Sequence, residues 1–115
     1  MTRLTLRIAA AILGILSCTG AQAGVASGQV TYFVSGSVNG VEILYVRLST
    51  MSGMAGCVTA NRFVMTAASP AFKTTVAMIV ATYASGGSMF IDGAGTCNTS
   101  AGSEDLSSAC FAAGC

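Results

Sequence analysis

No histidine and no tryptophan occur in this sequence, proline occurs once, and five basic and four acidic residues are all the charge it carries. The missing imidazole removes the side chain that most often moves protons near neutral pH, and Lys73 stands alone as a lysine. A metal centre calls for histidine ligands or a Cys-x-x-Cys pair, and neither is present. No run of Lys or Arg forms a stripe for nucleic acid or anionic lipid. We therefore expect no catalytic residue, no cofactor, no metal and no nucleic-acid partner.

What is present begins with a leader. Arg3 and Arg7 flank a short basic region, Ile8 to Leu16 is a nearly continuous apolar run, and Ala21-Gln22-Ala23 supplies small residues at a cleavage site. This is the pattern of a secretory signal peptide over residues 1–23, with a single domain over residues 24–115. The apolar run falls short of the ~20 residues a bilayer-spanning helix needs, and every later stretch is interrupted by glycine or polar residues. No integral membrane segment is expected once the leader is removed. Periplasmic or secreted location follows, with one alternative: Ile15-Leu16-Ser17-Cys18 loosely resembles a lipidation box, which would give a lipid anchor through Cys18.

Export sets the redox state of the remaining cysteines. Cys57, Cys97, Cys110 and Cys115 are an even set in an oxidising compartment, open to three connectivities. We favour Cys57 with Cys97, which joins segments on either side of a helix, and Cys110 with Cys115, which closes a short terminal loop. The longer loop would stabilise the fold by about 4 kcal/mol in the chain-entropy picture. Beyond the leader, Arg47, Arg62 and Lys73 face Glu42, Asp92, Glu104 and Asp105, a near-neutral balance.

From Gly28 the chain alternates, with Val30, Tyr32 and Val34 on one face and Thr31, Phe33 and Ser35 on the other, the period of a strand. Asn39-Gly40 suits a two-residue hairpin turn, and a second strand follows over Val41 to Leu48. Residues 49–56 read as a loop. Cys57 to Thr66 is a third strand in which Asn61-Arg62 marks a bulge or bend. Ser69 to Gly86 is a helix: Phe72, Val76, Ile79, Val80 and Tyr83 form its apolar stripe, Ser69 caps it, Pro70 takes the first position and Gly86-Gly87 stop it. Ser88 to Asp92 is a fourth strand, Gly93 to Cys97 a glycine-rich corner, and residues 104–112 a final strand or a short helical turn. The expected fold is β with one helix, a small OB-fold-like antiparallel barrel in the order β-β-β-α-β(-β), stapled by disulfides. The alternative is an α+β fold with the helix on an open antiparallel sheet.

Several of these features together, the hairpin at Asn39-Gly40, the strand opening at Cys57, Phe72-Lys73 starting an apolar helix, Tyr83-Ala-Ser-Gly86 ending it, the alternation over Ser88 to Ile91 and Gly95-Thr-Cys97, span most of the mature chain. In them the chain resembles the cell-binding B subunits of bacterial AB-type toxins of the subtilase-cytotoxin and pertussis-like kind. That resemblance implies a disulfide-stapled OB barrel, a ring of five copies, and glycan binding on behalf of a toxic A subunit. None of that family's sugar-contacting residues maps onto a position here.

Read from the residues, Tyr32, Tyr45 and Arg47 are the candidate ligand face, since aromatic rings and a guanidinium on strands suit a sugar or a protein partner. Glu104-Asp105 reads as solvated loop charge, because neighbours on a strand point to opposite faces and cannot work as a carboxylate pair. Asp92 reads as a turn former and the scattered methionines as core filler. Two functions are in view: an exported non-enzymatic binding module for a glycan or protein, able to form a homo-oligomer, or a structural, envelope-associated protein with no diffusible ligand.

Overall fold

The computed structural model describes residues 22–111 and 115. The expected leader up to Ala21, with its Cys18 alternative, lies outside the described residues. The elements are β1 (Val25–Val38), β2 (Val41–Ser52), β3 (Phe63–Thr66), α1 (Phe72–Ser85), β4 (Met89–Gly93) and β5 (Glu104–Cys110). The last segment is thus a strand. The third is shorter than expected, with Cys57 in the loop ahead of it, because the left-handed backbone at Asn61 (φ 47°) breaks the extended run before Phe63.

The five strands form one sheet closed in a ring, in the order β1-β2-β3-β5-β4 with β4 returning to β1. An open sheet is ruled out by that last pairing, which runs from Val25 opposite Asp92 to Gly28 opposite Met89. The sheet is mixed rather than antiparallel throughout: Phe63 and Val64 pair parallel with Glu104 and Asp105, while the other neighbours are antiparallel. A parallel pair needs a long crossover, and α1 with β4 supplies it. Disulfides join Cys57 to Cys97 and Cys110 to Cys115, with Cα atoms 6.2 and 5.8 Å apart. Among the described residues no helix is long and apolar enough to cross a membrane.

The core fills the ring with alternate residues of β2 (Leu44, Val46, Leu48), Phe63 and Met65 of β3, and Met89 and Ile91 of β4. Each such side chain contributes roughly 1.5–3 kcal/mol by leaving water. Met65 and Met89 belong to this core, Met51 and Met54 pack at its margin, and Met78 on α1 belongs to neither.

β1 does not keep a single alternation. Its register against β2 slips between Ser27 and Val30 and again between Val30 and Tyr32, so that one extra β1 residue is inserted at each place. The second insertion reverses which face the following residues take. Val30 stays inside, but Phe33 packs on the core in place of Tyr32 and Val34, and Val34 is exposed. The expected grouping of Val30, Tyr32 and Val34 on one face is therefore wrong, and the bulge is the reason.

α1 starts at Phe72, two residues later than the expected first position, Pro70. Its N-cap is Ala71, with no side-chain capping bond; Ser69 and Pro70 belong to the turn that leaves β3, where the Ser69 amide donates to the Thr66 carbonyl. The C-terminal end is as expected: Gly86 takes φ 67°, its amide bonds the Tyr83 carbonyl and the Gly87 amide bonds that of Thr82. The buried stripe is Phe72, Thr75, Ile79 and Thr82, whereas Val80 and Tyr83 are 45% and 57% exposed. The stripe turned because Thr82 can be buried at low cost, its hydroxyl donating to the Met78 carbonyl one turn back. Tyr83 instead meets Phe33 edge to face, with ring centroids 5.2 Å apart.

The first bulge depends on Gly28, whose φ is 100° and where a Cβ would stand 2.0 Å from the Ser49 hydroxyl. That hydroxyl is held between the Gln29 amide and the Ser27 carbonyl, so it cannot move aside without losing both bonds. Gly28→Ala should lower stability by about 1–3 kcal/mol. A urea titration of the oxidised protein checks this, and an unchanged midpoint would show that the bulge does not need glycine.

Candidate binding face

The second bulge turns Tyr32 outward, directly opposite Arg47 in the β1–β2 register. The Arg47 guanidinium lies 5.3 Å from the centre of the Tyr32 ring, a cation–π contact. It is held there by two backbone carbonyls of the loop before β3: Nε donates to Asn61 and Nη2 to Ala60, each at 2.9 Å. The left-handed turn at Asn61 is what aims those carbonyls at β2.

Tyr45 lies two residues before Arg47 on β2 and so shares its face. The sequence-predicted trio Tyr32, Tyr45 and Arg47 is therefore assembled on one side of the sheet. Sequence reasoning missed two partners. Arg62 stacks on the Tyr45 ring at 3.7 Å, with Nε donating to the buried Ser103 hydroxyl at 2.8 Å, and the Tyr45 hydroxyl shares a 2.8 Å hydrogen bond with that of Ser100. Arg62 had a signal in its place beside the strand-breaking Asn61; Ser100 and Ser103 had none, since both arrive from a loop more than 50 residues after Tyr45.

Next to this face, Thr31, Tyr32, Phe33 and Tyr83 line an open cleft of about 340 Å³, between the second bulge and the end of α1. A second hollow, about 430 Å³, lies at the start of α1 beside Glu42, Ser69 and Lys73. Groups of three or more metal-ligating side chains are absent among the described residues.

Glu104 and Asp105 correct the expectation of solvated loop charge. They do point to opposite faces, but Glu104 is wholly buried. Its Oε2 accepts the Gly24 amide at 2.8 Å and the Gly95 amide at 3.4 Å, while Oε1 accepts the Ala55 amide at 2.6 Å. Asp105 ties the loop that presents Ser100: Oδ2 accepts the Thr96 hydroxyl and the Asn98 amide, and Oδ1 accepts the Thr99 amide. Asp92, expected in a turn, is inside β4, where it accepts a long hydrogen bond from Ser108.

Comparison with family models, with curated proteins and with solved structures finds no match for the chain.

Partial burial pushes the pKa of Asp105 up, but the hydrogen bonds from Thr96, Asn98 and Thr99 outweigh it and hold the carboxyl below its ordinary value of 3.8. A depressed folded value stabilises the protein fully above the unfolded value and loses that stabilisation as pH falls through the folded one. Asp105→Asn should cost about 1 kcal/mol at neutral pH, a figure discounted for the solvent access of the site. The gap between variant and parent in urea midpoint should shrink as pH drops below about 4; a gap constant down to pH 2 would mean that charge is not what holds the loop.

Proposed function

We propose that the protein is an exported, non-enzymatic binding module with an OB-type barrel, and that it binds glycan at the cleft between β1 and α1. The observation that carries the reading is the cleft itself. Thr31, Tyr32, Phe33 and Tyr83 line a space of about 340 Å³, in which the Phe33 and Tyr83 rings meet edge to face. Aromatic faces suit the C–H-rich faces of a sugar ring, and flanking hydroxyls suit its alcohols. Tyr32 is already pinned by Arg47, so little side-chain freedom is lost on binding. The strand order, the parallel β3–β5 pair and a helix between β3 and β4 are the support for an OB-type barrel. Two disulfides are compatible with an exported protein. Self-association into a ring, as in the toxin B subunits the sequence resembles, belongs to the same proposal.

One observation favours the structural alternative. Three N–H groups of Arg47 and Arg62 already serve the protein's own carbonyls and Ser103, so both guanidiniums are anchored without a ligand.

The two readings separate on a glycan array. Binding is expected for the oxidised protein, with at least ~10-fold weaker retention for Tyr83→Ala and Tyr32→Ala, in line with the loss of a stacked ring. Tyr83 is mostly exposed, so its variant should keep the parent melting temperature. No retention of the parent on any glycan would remove the binding proposal in favour of the structural one.

A further inference from the structure

Glu104 presents an unusual combination: a carboxyl side chain with no exposure at all, met among the described residues by three backbone N–H groups and by no cation. A buried carboxylate is ordinarily matched by a positive charge, because hydrogen bonds from neutral donors offset only part of its desolvation. One of the three donors is the nitrogen of Gly24, 2.8 Å from Oε2. Gly24 is also the residue that follows Ala21-Gln22-Ala23, the expected cleavage site.

We propose that removal of the leader after Ala23 converts this nitrogen into the missing cation, and that the new terminus forms a buried ion pair with Glu104 that completes the fold. The inference rests on the export reading. Water adds across the Ala23–Gly24 peptide bond under a signal peptidase; the leader keeps the Ala23 carboxylate, and Gly24 keeps the nitrogen, which takes up a proton as an α-ammonium. Nothing has to move far. The Gly24 carbonyl already accepts the Gly93 amide at 2.8 Å, which holds the residue against the carboxyl.

The pocket fits a terminal glycine and little else. A Cβ on Gly24 would stand 2.7 Å from the Met54 sulfur and 3.0 Å from both the Met54 Cα and Oε1 of Glu104; on Gly93 it would overlap the carboxyl group. Ala23 is exposed whereas Gly24 is buried, so the chain crosses the surface at the bond to be cut. An uncut chain folds around a neutral amide where the mature one has a charge.

The test uses the exported protein. Its N-terminal residue is read by mass spectrometry, and its melting temperature is compared with that of a form carrying one extra residue, Ala23, ahead of Gly24, with both disulfides formed. The extended form should melt lower by about 10 °C, the effect expected for losing one partner of a buried pair in a domain this small. In a Glu104→Gln background the two forms should melt together. Should that variant fail to fold, ¹⁵N-labelled parent protein supplies the second measurement: the Gly24 ammonium should give a slowly exchanging ¹⁵N–H signal in NMR spectra. Equal melting temperatures of the two forms, or a fast-exchanging amine, would overturn the ion pair. A mature terminus other than Gly24 would overturn it while leaving export intact, and a chain retained uncut in the cytoplasm would overturn both.

Discussion

The carboxyl group of Glu104 is the point on which the fold depends. It opens β5, yet its three hydrogen-bond partners come from the start of β1, the loop after β2 and the corner after β4. A buried acid left without those partners would cost several kcal/mol, comparable with the whole stability of a small domain. The three segments are therefore fixed relative to one another before any ligand is considered. Gly24 and Gly93 are required by the same group, because the space a side chain would need at either position holds the carboxyl or the residue beside it.

The second organising feature is the pair of bulges in β1. A strand of 14 residues with one parity throughout would have put Tyr32 and Val34 into the ring and Phe33 outside. The second inserted residue, between Val30 and Tyr32, reverses the parity, so that Tyr32 is carried out to Arg47 while Phe33 packs inside. The candidate face and the core are thus settled by one event in the backbone. Bulges also increase local twist, which helps so few strands bend far enough to close.

Much of the architecture was readable from residues alone, because its signals are local. Asn39 and Gly40 adopt positive φ of 51° and 77° between paired Val38 and Val41, and Gly86 ends the helix. The features that sequence misplaced are decided by distant partners. Nothing around Glu104 announces that the amides of Gly24, Ala55 and Gly95 converge on it, so a charged pair in a polar stretch reads as surface. The helix was found but its face was rotated, since apolar periodicity favours Val80 and Tyr83 over threonines that satisfy their hydroxyls internally. For the candidate face, Tyr32, Tyr45 and Arg47 could be grouped from strand parity on β2 and by chemistry on β1. Arg62, Ser100 and Ser103 reach it only through loop geometry.

Charge is scarce in this chain, and where it sits bears on how the face can recognise anything. Glu104 and Asp105 hold backbone amides, Asp92 meets Ser108, and Arg47 and Arg62 are aligned by carbonyls or a serine against tyrosine rings. Glu42 and Lys73 are left without such a role among the described residues, and both lie at the other hollow, near the start of α1. The aromatic cleft is lined by Thr31, Tyr32, Phe33 and Tyr83, none of them Asp, Glu, Lys or Arg. In the proposed glycan-binding reading, recognition there would rest on shape, stacking and neutral hydrogen bonds, which salt screens far less than contacts between exposed charges. The ligand such a cleft suits is an uncharged, alcohol-rich ring rather than an anion, and the scarcity of charge in the sequence is consistent with that proposal.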